Sequence, residues 1–138
     1  MNEHLIADIL YGPAKPLNGA TLSDEYLARI AAEDYAGQNV RVVRHWLLLD
    51  VVLPEHEQTQ LAKVGMQPTV LYACRIVHDS HAEASEDRDI VTGYESESIG
   101  CVFNADDTTY ILAGPGGRKF VSLPAVTALR NHAIEQGR

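Results

Sequence analysis

Cysteine, basic residues and long apolar runs are all scarce in this sequence of 138 residues. The two cysteines, Cys74 and Cys101, lie far apart and form no Cys-x-x-Cys pair. Because small secreted domains rely on several disulfides, this usage predicts reduced, buried thiols in a cytoplasmic protein. No stretch approaches the roughly 20 apolar residues that cross a bilayer, and the acidic N-terminus is unlike a signal peptide. We therefore expect no membrane partner.

Lysine and arginine together number only 11 against 19 acidic residues, which gives a net charge of −8. Direct nucleic-acid binding needs a basic face, so this composition argues against it. The excess acid is concentrated: between Asp79 and Asp107 there are nine acidic residues and a single base, Arg88. Within this stretch, residues 79–97 are polar and without period. They are predicted to form a mobile acidic loop in a single domain that spans residues 1–138.

Apolar periodicity and end signals predict an α+β fold. Helical patterns occupy residues 3–11, 21–37 and 54–65. A fourth helical pattern begins near Pro124, and Ser122 would form its N-terminal cap. Strand patterns occupy residues 46–53, 69–77, 99–103 and 108–113. Residues 39–53 as a whole form either one bent strand or a tight hairpin. We predict a mostly antiparallel sheet of about five strands with three or four helices packed on it, although a parallel crossover through helix 54–65 would make the sheet mixed.

The glycine-rich stretch GPGG, residues 114–117, has two interpretations. With Lys119 close behind, it could cradle a phosphate, but a phosphate loop needs a helix that starts directly after it. Here the next helix begins only near Pro124. The stretch is therefore predicted to be a hairpin turn that joins strand 108–113 to the apolar residues 119–123 in a three-stranded meander.

Several segments together resemble a known family. They are LYGPAKPL, LSDEYLARIAAEDYAGQNVRVVRHWLLLDVV, QPTVLYA and TTYILAGPGGRK, in this order over most of residues 10–122. Their most distinctive parts are the Tyr11-Gly12-Pro13 loop, Trp46 with Asp50, and the stretch from Thr109-Tyr110 to Arg118-Lys119. The sequence is similar to a family of small uncharacterised bacterial proteins that are frequent in pseudomonad genomes and mobile elements. That family has no assigned activity, so the resemblance implies no catalytic residues.

Asp50 is the most informative single residue, because it interrupts the apolar run WLLLDVVL. A carboxylate among apolar neighbours is costly unless it is paired, and Arg44, His45, Arg75 or Lys119 are available as partners. Asp50 is either a structural acid at the wetter edge of the sheet or part of a site. In the second case the candidate ligand pocket consists of Asp50, Arg44, His45, Arg118 and Lys119.

Two further groups of residues are weaker candidates for a metal site or a catalytic site. His78 and His81 lie three residues apart beside carboxylates, as zinc or manganese ligands do, but the segment HDSH is expected to be solvated and too loose to fix a metal site. Cys74 or Cys101 with His78 or His132 would supply a nucleophile and a base, yet both cysteines occupy inward-facing strand positions. We expect no metal, no cofactor and no catalytic residue from either pattern.

The sequence favours a non-enzymatic binding protein. A small acidic chain without a catalytic constellation is typical of phage and mobile-element inhibitors that occupy the surface of a host machine. The expected partner is a protein with a basic surface, such as a nucleic-acid-handling complex, because complementary charge speeds encounter. The predicted partner-binding residues are Asp79, Glu83, Glu86, Asp87, Asp89, Glu95 and Glu97. The alternative is a small enzyme or ligand-binding domain that uses Asp50 with a nearby histidine or arginine.

Overall fold

The part of the chain that this computed structural model describes, residues 3–81 and 86–136, forms four helices and eight strands. The helices are α1 (Glu3–Tyr11), α2 (Asp24–Asp34), α3 (Glu55–Lys63) and α4 (Leu123–Gln136). The strands are β1 (Lys15–Asn18), β2 (Val40–Val52), β3 (Thr69–Asp79), β4 (Glu86–Val91), β5 (Glu97–Ile99), β6 (Val102–Ala105), β7 (Thr108–Leu112) and β8 (Pro115–Ser122). The α+β class and the four helices are as predicted. None of these helices has the length and hydropathy needed to cross a membrane.

Strand β2 is the centre of the sheet. β3 runs antiparallel to it on one side, while β7 and β8 run parallel to it on the other. Strands β1, β4, β5 and β6 extend the sheet through antiparallel pairings. The prediction of about five mostly antiparallel strands is approximately right. The sheet is larger, with eight strands in the described residues, and it is mixed because β2 has parallel neighbours.

The stretch GPGG is not the predicted hairpin turn. Instead of forming a hairpin, β7 pairs with residues 40–43 of β2 and β8 pairs with residues 47–52 of the same strand. Pro115 and the two glycines after it belong to β8, and Gly114, at φ 69°, separates the two strands. β2 itself bends between these paired stretches, at His45 with φ 56°, so it is the single bent strand that the sequence allowed. The long edge of β2 therefore accommodates both segments in succession.

The connection from β2 through α3 to β3 differs from the parallel crossover that the sequence allowed as an alternative. β2 and β3 are antiparallel, so the alternative of a parallel crossover is wrong. A crossover helix must pack on the face of the sheet, and α3 buries none of its residues. This helix therefore lies on the surface.

Part of the acidic segment is strand rather than loop. β4 pairs antiparallel with β3 between Tyr72 and Ile76. Its residues Ile90 and Val91 pack against buried side chains, and this apolar contact explains why the prediction of a loop over residues 79–97 is wrong for β4. The predicted strand 99–103 is likewise interrupted, because Gly100, at φ 60°, lies in the turn between β5 and β6.

Three groups of buried side chains join the layers. Helices α1 and α4 cover the first group, which includes Leu49 and Leu129, and α2 covers the second through Leu27. The buried members of the third group, among them Trp46 and Phe103, all come from strands. The sheet therefore curls over and buries one of its own faces.

Candidate functional site

Asp50 is held by two partners near the end of β2. Arg118 on β8 contacts both carboxylate oxygens: its Nε donates to Oδ2 at 2.8 Å and its Nη2 to Oδ1 at 2.7 Å. The hydroxyl of Thr69, on β3, donates to Oδ1 at 2.7 Å. Burial alone would raise the pKa of Asp50, but the hydrogen bonds from both partners and the charge of Arg118 outweigh it, so the pKa lies below the ordinary 3.8. Asp50 is therefore ionised at neutral pH, and the guanidinium group of Arg118 balances its negative charge.

The other three residues of the candidate pocket lie elsewhere. Arg44 donates from Nε to Asp24 of α2 at 2.5 Å. Lys119 follows Arg118 on β8 and so points to the opposite face of the sheet, where it donates to two carbonyls in the last turns of α1 at 2.6 and 2.8 Å. A positive charge at this end of a helix complements the helix dipole. His45 occupies the bend in β2.

Sequence reasoning included Arg118 in the candidate pocket but did not name it as the partner of Asp50, and it missed Thr69 entirely. The one signal for Thr69 is its position as a polar residue at the start of the apolar strand TVLYA. In the sheet, Thr69 is the direct neighbour of Asp50 across β2 and β3. Both partners therefore follow from strand register, which the local sequence does not specify.

Two acids of the predicted docking segment are engaged inside the fold. The side chain of Asp79 is only 9% exposed, and it accepts a hydrogen bond from Nε of Arg41 at 2.9 Å. Asp89 accepts from the hydroxyl of Tyr72 at 3.2 Å and lies 3.9 Å from the ring nitrogen of His132. These carboxylates hold β2, β3, β4 and α4 together.

Other acids of the same segment and its surroundings are open to solvent: Glu86, Asp87, Glu97 and Asp107. Asp87 pairs with Arg75 at 2.7 Å, yet its side chain remains 80% exposed. The exposed acids come from β4, β5 and the turn between β6 and β7. These elements are neighbours, because the N–H of Gly93 donates to Oδ2 of Asp106 at 2.6 Å and brings the chain after β4 against that turn. Glu95 is half-buried, and Glu83 lies outside the described residues.

The two histidines proposed as metal ligands have other surroundings. Within residues 3–81 and 86–136, no group of three or more histidine, cysteine or acidic side chains could hold a metal ion. The ring of His81 contacts the side-chain oxygen of Asn39, and its backbone N–H donates to Asp79 at 2.9 Å. His78 lies on β3 opposite Val42. That the protein needs no metal stays a prediction.

Cys74 lies in a polar group with Tyr72, Asp89 and His132. Burial, followed by the negative charge of Asp89, raises the pKa of the Cys74 thiol above its ordinary 9.0. A raised pKa keeps the thiol protonated at neutral pH, which is the opposite of an activated nucleophile. Cys74 and Cys101 are half-buried, whereas the prediction was that both thiols are buried. The prediction therefore overstated their burial. For Cys74 the reason is that it lines a cleft between α1 and the bend of β2.

The model of a family described as a domain of unknown function, DUF6957, matches residues 18–128, which is most of the chain. The chain belongs to the DUF6957 family. The resemblance to an uncharacterised family is confirmed at this level. Neither the curated proteins nor the solved structures contain a match to the chain.

The DUF6957 match covers strands β2 to β8, and with them the Asp50–Arg118 pair and the exposed acids. All of α1 and the second half of α4 lie outside it. The cleft beside His45 and Trp46, of about 430 Å³, is lined by neither Asp50 nor Arg118. The structure thus contains a compensated carboxylate at Asp50, a thiol with a raised pKa at Cys74 and a set of exposed acids.

Proposed function

We propose that this chain is a non-enzymatic, cytoplasmic binding protein whose exposed acids dock on the basic surface of a partner protein. The observation that carries the proposal is a set of four exposed carboxylates on neighbouring elements, which we call the acidic surface: Glu86, Asp87, Glu97 and Asp107. Asp79 and Asp89, which the sequence also indicated, do not belong to it because they are engaged inside the fold.

Exposed carboxylates act on association more than on stability. A net charge of −8 attracts a basic partner and raises the rate of encounter. The attraction reaches over a screening length of roughly 8 Å at physiological ionic strength, so added salt weakens it. The Asp87–Arg75 pair is too open to solvent to contribute much to stability. The acidic surface can therefore change without loss of the fold.

The partner that we propose is a protein complex that handles nucleic acid, because such complexes carry basic surfaces. The resemblance to proteins of pseudomonads and mobile elements supports a bacterial setting. There, a phage or mobile element would use the chain to inhibit a host complex, for example a defence nuclease, by covering its surface. Charge complementarity is the physical argument for this choice.

The alternative, a small enzyme or ligand-binding domain built on Asp50, has less support. Both oxygens of Asp50 are occupied by Arg118 and Thr69. The thiol of Cys74 has a raised pKa. Neither group is therefore available as a general base or as an activated nucleophile.

The test begins with affinity purification from the cells that encode the chain, followed by mass spectrometry. The parent is compared with a variant of the acidic surface, Glu86→Gln/Asp87→Asn/Glu97→Gln/Asp107→Asn. Association rates with the captured partner are then measured over a salt series. We expect the variant to associate more slowly and with a flatter salt dependence, because the removed charges act on encounter.

A matched control removes four exposed acids from the helices: Glu33→Gln, Asp34→Asn, Glu55→Gln and Glu135→Gln. It has the same net charge as the first variant. If both variants slow association equally, overall charge is responsible rather than the acidic surface. If the acidic-surface variant binds as fast and as salt-sensitively as the parent, the docking proposal is wrong.

A further inference from the structure

Three arginines from three different elements line one cleft. Arg41 comes from β2, Arg88 from β4 and Arg130 from α4, and the cleft has a volume of about 440 Å³. The chain has only 11 basic residues in all. Like charges repel, so the placement of three arginines along one cleft of an acidic protein needs a physical reason.

Two of the three guanidinium groups are fixed by the fold. Nε of Arg41 donates to the buried Asp79 at 2.9 Å. Nη2 of Arg130 donates to the carbonyl of Thr92 at 2.8 Å. Each arginine has further N–H donors beyond the one used in this contact. The groups are therefore held in position while donors remain for a ligand.

Arg88 provides the clearest sign of a binding function, a buried donor. Its Nε is buried, and within the described residues it has no hydrogen-bond partner. Oε1 of Glu86 forms an ion pair with this nitrogen at 3.5 Å, a separation longer than the roughly 2.7–3.2 Å typical of such hydrogen bonds. A buried donor without a partner is rare in proteins and calls for a water, an ion or a ligand.

The two acids that line the same cleft, Asp89 and Asp106, keep their negative charges, but their hydrogen bonds go to other groups. Asp106 accepts a hydrogen bond from the N–H of Gly93 at 2.6 Å. Asp89 accepts from the hydroxyl of Tyr72 at 3.2 Å. Both carboxylates are thus engaged with groups other than the three arginines.

We propose that this cleft binds a small organic anion, whose phosphate or carboxylate group is held by Arg41, Arg88 and Arg130. The planar guanidinium group matches both kinds of oxyanion and binds them through paired hydrogen bonds. Ile90 and Ile134, which also line the cleft, provide an apolar wall for the rest of the ligand. The volume is within the range of small-molecule sites. This proposal does not rest on the docking proposal, although Glu86 of the acidic surface lies beside Arg88.

Calorimetric titration with three probes tests the proposal: inorganic phosphate, phenyl phosphate and benzoate. We expect at least one of the two aromatic anions to bind, and phenyl phosphate to bind more tightly than inorganic phosphate because of the apolar wall. Binding of phenyl phosphate alone would identify a phosphate ligand, and binding of benzoate alone would identify a carboxylate ligand. If neither aromatic anion binds below about 10 mM, the proposal is wrong.

Arg88→Gln is the diagnostic variant, because Arg88 has no buried partner to lose. We expect it to weaken binding about tenfold or more, the effect of losing one charge-assisted hydrogen bond. Arg29→Gln removes the same charge from an exposed position on α2 and should bind as the parent does. Equal affinities of Arg88→Gln and the parent would overturn the proposal.

A measurement on the unmodified protein does not depend on how the variants fold. In nuclear magnetic resonance spectra, the bound probe should shift the amide signals of residues 88–92 and 130–134. Shifts confined to other parts of the chain would place the anion elsewhere and refute this site.

Discussion

The indole ring of Trp46 lies directly against the backbone of Gly116. A Cβ atom at position 116 would be 2.3 Å from Cδ2 and 2.4 Å from Cε2 of that ring. Trp46 is 3% exposed, and its Nε1 donates to the carbonyl of Ala113 at 3.2 Å. The ring is therefore fixed by packing and by a hydrogen bond, so position 116 has no room for a side chain.

Gly116→Ala should destabilise the protein because the ring cannot move away. Overpacking of this kind costs about 1–3 kcal/mol in the free energy of unfolding. Urea unfolding followed by the fluorescence of Trp46, the single tryptophan, measures the change. Gly117→Ala is the matched control: its Cβ would lie 3.1 Å from the Cβ of Ala14 and from a methyl group of Leu47, which a shift of a few tenths of an ångström relieves, so a smaller loss is expected. Equal losses would mean that the Trp46 contact is not the cause.

Asp50→Asn should cost about 1–3 kcal/mol at neutral pH, because it leaves Arg118 without its carboxylate. The pKa of Asp50 is lowered in the folded state, so its contribution to stability is present above the ordinary value of 3.8. That contribution is lost as the pH falls through the lowered folded-state value. The difference between parent and variant should therefore shrink below about pH 4.

The measurement is urea unfolding of both proteins at pH 7 and at about pH 3. Thr69→Val serves as a second variant, because it removes the neutral hydrogen bond to Asp50 and retains the ion pair. Its effect should change less with pH. A penalty for Asp50→Asn that is the same at both pH values would contradict the pairing with Arg118.

Cys74 should react slowly with a thiol reagent in the folded state. The reactive species is the thiolate, and the raised pKa of Cys74 reduces its amount at neutral pH. A Cys101→Ser background isolates this thiol, and the labelling rate is followed against pH with and without urea. We expect faster labelling in urea and a folded-state rate that still rises above pH 9. Asp89→Asn should raise the folded-state rate, and equal rates with and without urea would contradict the prediction.

Local patterns identified the helices and the two long strands. The cap of α4 at Ser122 and the bend in β2 both follow from residues that are close in sequence. Residues 46–49 of β2 and 70–74 of β3 are continuous apolar runs, so the burial of these parts on both faces was also predictable.

Pairings between distant residues were not predictable in the same way. GPGG has the composition of a turn, yet its residues Pro115 to Gly117 pair with β1 and continue along β2. Gly116 is required by the ring of Trp46 rather than by a turn. Arg118 meets Asp50 across 68 residues of chain through the register of β2 and β8. No local signal fixes that register without the rest of the sheet.

The acids at positions 79 and 97 should behave differently, although both belong to the predicted docking segment. Asp79 accepts hydrogen bonds from Arg41 and from the backbone of His81, each at 2.9 Å, and its side chain is nearly buried. Glu97 is exposed on β5. A charge-assisted hydrogen bond contributes about 1.5–3 kcal/mol, whereas exposed substitutions change stability by about 0.5 kcal/mol or less.

Asp79→Asn should therefore lower the free energy of unfolding by about 2 kcal/mol, and Glu97→Gln should leave it nearly unchanged. The amide of the first variant would also turn an N–H group toward donors that need an acceptor. Urea unfolding of both variants at pH 7 measures the difference. A small effect at both positions would mean that the Arg41–Asp79 contact is not maintained in solution. Asp79 would then be an exposed carboxylate and would join the acidic surface, where its charge acts on association rather than on folding.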